Sequence, residues 1–346
     1  MKKKISVIIA FALAACLAVF GIACGDETGV TDRMDVQQLW KDATGMSDYP
    51  QACLVVNGEF AAEHAGFVAD FSAALKEHDD WAESHPEETV AAINAHMAGD
   101  AASTVKSLTS DIVKRCHIEA IDAGDDRAAV EKYLGLFLAL ESELETSLIG
   151  GKLPDDGFYY ENSTGETTPE KVDIYVPDGA TALALAYFMH SDEKVSGATL
   201  DIHVVTANTI GSFVANGSAD MAVMPSNAAA KMYNTNGKYK LVMTLTHGNL
   251  YIVGGDMSGV DSLVGKRVGA IGQGQVPDLV LRYILKQKNI EYVLSDTAAE
   301  GKVAITYYSD GGSVARALKA GQIDFGLLAE PAASTVYDLV NAESAE

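Results

Sequence analysis

Val172-Asp173-Ile174-Tyr175-Val176-Pro177-Asp178-Gly179 and Lys266-Arg267-Val268-Gly269-Ala270-Ile271-Gly272-Gln273-Gly274-Gln275 are two apolar, β-branched runs that each end in a glycine-bearing loop. Both runs open the same succession of elements. After the first come an apolar helical pattern to about His190, a strand pattern Leu200 to Val205, Gly211-Ser212, a short helix, Gly217-Ser218-Ala219-Asp220, and a strand Met221 to Met224 closed by Pro225. After the second come a helix to about Lys288, a strand Val303 to Tyr308, Gly312-Ser313, a helix, Gly321-Gln322-Ile323-Asp324, and a strand Phe325 to Ala329 closed by Glu330-Pro331. Short strands alternating with helices are the pattern of parallel-sheet α/β units. A single Gly-x-x-Asp punctuates a helix end and a strand start. Two copies in matching order predict two doubly wound α/β lobes joined by a hinge, with the apolar stretch Lys240 to Gly254 between them.

Upstream, residues 60–150 read as helices. Phe67, Phe71 and Leu75 recur at every fourth position; Val105, Leu108 and Ile112 come next at helical spacing; Val130, Leu134, Phe137, Leu138 and Leu144 mark a longer amphipathic helix. Ser84-His85-Pro86-Glu87 reads as a capping box opening another helix. One strand, Ala52 to Val56, precedes this block. The Gly, Pro and Asp rich stretch from Gly150 and the polar Asn162 to Glu170 form a linker, 151–170, before the first repeat.

The chain has 346 residues, enough for two domains, and 48 % hydrophobic against 21 % charged residues is globular composition. Its formal charge is −23, and removal of a segment carrying Lys2, Lys3 and Lys4 would leave about −26. Such a surface repels phosphate backbones, which excludes nucleic acid as a partner. The three lysines, the apolar run Ile5 to Ala23, and then Cys24-Gly25-Asp26-Glu27 read as a secretory signal, residues 1–23, with a short tether, 24–30. Phe20-Gly21-Ile22-Ala23-Cys24 resembles a bacterial lipobox, which makes Cys24 the lipidation site and anchors the chain outside the cytoplasm through a diacylglyceryl cysteine. Leu13-Ala14-Ala15-Cys16 fits locally too, but would leave an apolar tail on the mature chain. Cys53 and Cys116 are expected to be separate buried thiols, because two cysteines do not make a disulfide scaffold.

In open α/β sheets, ligands lie beyond the carboxyl ends of the strands, where helix N-termini offer unpaired N–H groups. The loops that land there supply the candidate ligand-binding residues: Asp178, Thr181, Asn208, Ser226, Asn227, Gln273, Gln275 and Glu330, together with His247 and Asn249 at the connection between lobes. Asp178 and Glu330 are the carboxylates in matching positions. Gly272-Gln273-Gly274 is a fragment of a dinucleotide motif with Pro277 where the third glycine belongs. A Gly-x-Ser-x-Gly elbow, a His-Glu-x-x-His pair and a Walker loop are all missing from the sequence. The expectation is a binding protein with no catalytic residues, no metal and no cofactor. An enzyme on the same two-lobe fold is the alternative from another class, and a ligand-sensing receptor for a membrane kinase is a third.

Tyr175-Val176-Pro177-Asp178-Gly179-Ala180-Thr181, Met224-Pro225-Ser226-Asn227-Ala228-Ala229-Ala230, His247-Gly248-Asn249-Leu250-Tyr251 and Glu330-Pro331-Ala332 resemble the N-terminal part of ABC transporter substrate-binding proteins of the nitrate/taurine/thiamine-precursor type, with the type II periplasmic binding protein fold. The first half, through Tyr49-Pro50-Gln51-Ala52-Cys53-Leu54-Val55-Val56 and Gly150 to Tyr160, resembles that family's C-terminal part. The order is that of a circular permutation. The resemblance implies a lobe of residues 47–247, built from the helical block 60–150, the linker and the α/β unit 171–247, and a second lobe of 248–346 plus 31–46. It also implies a monomer that hands a small-molecule solute to an ABC permease. The cleft loops hold no Arg or Lys, so a neutral, zwitterionic or heteroaromatic organic solute is expected, with Tyr49 as a stacking surface.

Overall fold

The computed structural model describes residues 32–99, 102–162, 165 and 167–341. The signal segment 1–23, Cys24 and the tether lie outside the described residues.

The chain is mixed α/β, built on two six-stranded sheets. The strands are β1 (Asp32–Asp35), β2 (Ala52–Asn57), β3 (Ile118–Asp122), β4 (Lys171–Pro177), β5 (Thr199–Val205), β6 (Met221–Pro225), β7 (Tyr239–Thr246), β8 (Leu250–Gly254), β9 (Arg267–Ile271), β10 (Tyr292–Leu294), β11 (Val303–Tyr308) and β12 (Phe325–Ala329). One sheet runs β3-β7-β2-β6-β4-β5 and the other β1-β8-β12-β9-β11-β10. Neither sheet is wholly parallel. The repeated units supply the parallel sets β6-β4-β5 and β12-β9-β11-β10, and β2, β7 and β3 in one sheet and β8 and β1 in the other add antiparallel pairs. Thus β1 pairs with β8, and the segment from Asp32 packs on the sheet whose strand β12 leads into Glu330.

The two Gly-x-x-Asp motifs perform one structural task twice. Gly217 and Gly321 take positive φ (77° and 62°), which lets the chain leave each helix. The aspartate three residues on then clamps the first strand of its unit: Asp220 Oδ2 accepts from Asp173 N at 2.9 Å, and Asp324 Oδ2 accepts from Arg267 N at 2.8 Å. Each backbone amide of the pair answers, Asp220 N to Asp173 O and Asp324 N to Arg267 O.

Two local readings are corrected by the fold. Val105 and Leu108 are buried in an extended loop, and the helix is only Ser110–Lys114. Asp178 binds Thr104 N and the Ser103 and Thr104 hydroxyls, which offers that backbone an alternative to helix, and Thr109 then caps Ile112. The helix upstream of it is Pro86–Ala95, with His85 rather than Ser84 at its N-cap. Proline lacks the N–H that a first-turn residue leaves unpaired anyway, so Pro86 fixes the start.

The helical block, through Phe67, Phe71 and Leu75, joins Phe188 of the α/β unit in covering one face of the first sheet at Leu54, Ile174 and Val176. The other face, at Cys53, Val55 and Met224, joins a continuous apolar cluster that contains Trp40, Tyr49, Tyr133 and Phe137 and extends into the second sheet through Leu250, Ile252 and Leu327. The lobes therefore share core. Cys53 and Cys116 are free and buried, and burial pushes the Cys53 thiol up to about 12 and Cys116 upward as well.

Candidate functional site at the seam between the lobes

The parallel strands fix which ends of the sheets meet. The carboxyl ends of β4, β5 and β6 lie beside the start of β2 and the end of β7 (Ala52 opposite Pro225 and Thr246). The carboxyl ends of β9, β11 and β12 lie beside the start of β8 (Ala329 opposite Leu250). His247-Gly248-Asn249 runs directly from one set of ends to the other, so both edges face a common seam.

The seam is hydrogen-bonded from both sides. Gln51 N donates to Thr246 O at 2.8 Å, and Gln37 Nε2 donates to His247 O at 2.7 Å. His117 Nδ1 meets Gly248 O. Gly248 has φ +82° and lies under the Tyr49 ring, so an added Cβ would sit 2.8 Å from Tyr49 Cε1. The Glu330 amide donates to Asn249 O at 2.8 Å.

Glu330 is the electrostatic centre. Its carboxylate is fully buried, 2.8 Å from Arg115 Nε of the other lobe and 3.5 Å from Arg33 Nη1 of its own. Ser334 donates through its amide (2.9 Å) and hydroxyl (2.8 Å), and both arginines donate to Ser334 Oγ. A buried carboxylate needs this many donors, because an unpaired charge there would be prohibitive.

Around the seam, polar atoms are buried without partners. Trp40, Tyr49 and Tyr133 form a triangle with ring centroids 5.1, 5.9 and 5.9 Å apart. Among the described residues, Trp40 Nε1, the Tyr133 hydroxyl, Asn227 Oδ1, Thr246 Oγ1 and Asn249 Oδ1 have no hydrogen-bond partner in the protein, whereas the Tyr49 hydroxyl meets the Leu250 backbone and Ser226 Oγ meets the Cys53 thiol. Burial drives the Tyr49 and Tyr133 hydroxyls well above the ordinary phenol range, so both stay neutral.

A cavity of about 340 Å³ opens on the same seam, lined by Gln37, Asp48, Asp79, Glu83, His117 and His247 among others. His247 is buried with Nδ1 3.7 Å from Asp48 and Nε2 3.2 Å from Glu119 O, so both ring nitrogens are engaged. Burial alone would lower its pKa; Asp48, Asp126 and Glu119 outweigh burial and raise it. Asp48 is lowered in return, first by its hydrogen bond with His247.

The fold brings Tyr49, Ser226, Asn227, His247, Asn249 and Glu330 to the seam. It spends the others locally. Asp178 accepts from Ser103 and Thr104 at 2.6 Å, and Thr181 Oγ1 donates to Pro177 O at 2.7 Å. Asn208 is exposed and accepts from Thr206 Oγ1 at 2.9 Å. Gln273 and Gln275 are exposed on the loop before the helix Val276–Gln287. Gln37, Trp40, Arg115, His117 and Tyr133 join the seam without having been anticipated. Arg115-Cys116-His117, a dense polar run just before a strand, was the one readable sign of them.

No protein-family model matches the chain, and no curated protein matches it. Among solved structures, the chain is similar to an ABC transporter from Parabacteroides distasonis, at 18 % identity and a TM-score of 0.38, over 51 % of this chain and 57 % of that one. It is also similar to a protein from Xanthomonas citri bound to a chloride ion, at 13 % identity and a TM-score of 0.28, over 47 % of this chain and 66 % of that one. The chain thus spans less than two thirds of either.

Proposed function

We propose that this chain is a solute receptor: two lobes close over a small organic molecule at the seam and present it to an ABC permease. The observation that carries this reading is the set of buried polar atoms at the seam with no partner in the protein, Tyr133, Asn227 and Thr246 of one lobe and Trp40 and Asn249 of the other. A ligand held there would complete hydrogen bonds that closure alone leaves unmade, and so would favour the closed form by differential affinity. These atoms are neutral donors and acceptors, and the seam's arginines are committed to Glu330 and Ser334, which supports an uncharged or zwitterionic solute. Binding without chemistry is the better reading because the seam's buried histidine, His247, has Asp48 and the Glu119 carbonyl as its partners and, among the described residues, no serine or cysteine nucleophile.

In this reading the order of segments is a circular permutation of the substrate-binding proteins, consistent with the segment from Asp32 adding β1 to the edge of β8. The protein works as a monomer outside the cytoplasm, held to the membrane by lipid on Cys24. Among the described residues no helix is long and apolar enough to cross a membrane.

The test is the mass of what co-purifies with the protein, together with calorimetric titration of that compound. Recovery of one unmodified small organic solute whose binding is lost in Asn227→Ala and Asn249→Ala supports the reading. Turnover of the solute, or tight binding of nitrate or an alkylsulfonate with no organic solute bound, overturns it.

A further inference from the structure

Far from the seam, the parallel pairing of β4 and β5 sets Asp173 opposite Asp201 and Tyr175 opposite His203. Residues two apart share a face of a strand, so Lys171, Asp173, Tyr175, Asp201 and His203 lie on one side of the sheet. His203 Nε2 is 3.3 Å from Asp173 Oδ1 and 3.6 Å from Asp201 Oδ1, and one donor atom from each of the three residues lies within 4.8 Å of the others. In a tetrahedral zinc site with ligands near 2.1 Å, neighbouring donors are about 3.4 Å apart, which both separations approach. The ring is aimed by stacking: His203 lies on Tyr175 (4.5 Å, 23°), and Tyr175 lies on Phe213 (4.3 Å, 19°). Asp173 is fixed through its backbone, clamped to Asp220. A cation already sits against the carboxylates, since Lys171 Nζ is 3.0 Å from Asp173 and 2.6 Å from Asp201.

We propose that Asp173, Asp201 and His203 form a binding site for a divalent transition ion of the zinc class, with the Lys171 ammonium as its internal stand-in when no ion is bound. One imidazole nitrogen and two carboxylates suit zinc, cobalt or manganese better than calcium, which wants more oxygens. Lys171 is half exposed and can swing out; exposed ion pairs are weak, so it competes without blocking. A bound ion would tie β5, at the end of its sheet, to β4.

The experiment titrates the full chain, freed of metal, with zinc by calorimetry and with cobalt by visible absorption, with folding of each variant checked by circular dichroism. One equivalent should bind, with cobalt bands of four-coordinate nitrogen and oxygen ligation. His203→Ala and Asp173→Asn should lose it. Lys171→Ala should bind about two- to fivefold tighter by removing the competitor, an effect that binding elsewhere would not show. No binding at about 0.1 mM free ion, undiminished binding in His203→Ala, or weaker binding in a folded Lys171→Ala protein would overturn the assignment.

Discussion

Arg115 and Glu330 meet at 2.8 Å although they flank different sheets, Arg115 preceding β3 and Glu330 coming just after β12. Glu330 also keeps Arg33 and Ser334 from its own lobe. Separation of the lobes would therefore remove one partner and leave the carboxylate compensated by the rest, which suits a contact that is made and broken.

Arg115→Ala should cost about 1–3 kcal/mol in urea unfolding, the range for a charge-assisted bond to a buried group. It should also raise the radius of gyration seen by small-angle scattering, because the lobes lose a clasp. If both measurements match the parent protein, Arg115 is not holding the lobes together.

The Asp48–His247 pair sets a pH window. Asp48 is lowered from 3.8, so its contribution exists above 3.8 and is lost as pH falls through the lowered value. His247 is raised from 6.5, so its contribution is complete below 6.5 and is lost as pH rises through the raised value. Stability contributed by the pair should be greatest between those limits, and His247→Gln should flatten the decline on the alkaline side. An unchanged alkaline slope of melting temperature in that variant would count against it.

Gly248→Ala should destabilise by about 2 kcal/mol or more, since alanine at φ +82° is strained and its Cβ would press on the Tyr49 ring at 2.8 Å. Pairing it with Tyr49→Ala should relieve the steric part, so the double variant should be less destabilised than the two single losses added.

Asp278 is buried and accepts from Arg282 Nε (2.7 Å), the Tyr307 hydroxyl (2.6 Å) and Gly274 N (2.8 Å). Asp278→Ala should cost about 1–3 kcal/mol, because Arg282 loses its carboxylate but keeps the Tyr307 and Tyr292 hydroxyls, and hydrogen exchange should quicken at Gly274 as its loop loses an anchor. Exchange there at the parental rate would mean the loop is held by other contacts.

The architecture was legible because it is written in local signals: β-branched runs, glycines at helix ends, and a unit repeated in order. The short strands were not. β1 reads Asp-Arg-Met-Asp and β3 Ile-Glu-Ala-Ile-Asp; they are strands because β8 and β7 offer them an edge, a tertiary fact that propensity does not carry. The site was legible in part for the same reason. Loop position placed Ser226, Asn227 and Asn249 at the seam, but it could not foresee that Asp178 would be consumed by Ser103 and Thr104, from a segment some seventy-five positions away. Nor does any motif announce Asp173, Asp201 and His203, which become neighbours only through strand register.

Among the described residues the backbone crosses between the sheets twice, once between the helix Val36–Thr44 and β2 and once between β7 and β8, and the crossings lie side by side, joined by Gln51 to Thr246 and by Tyr49 against Gly248. A single strand of chain would act as a swivel. Two adjacent ones act as an axle: they permit flexing about one line and resist twist about any other. On the proposed reading, each closure of the halves would repeat one trajectory and return Arg115 to Glu330 without a search.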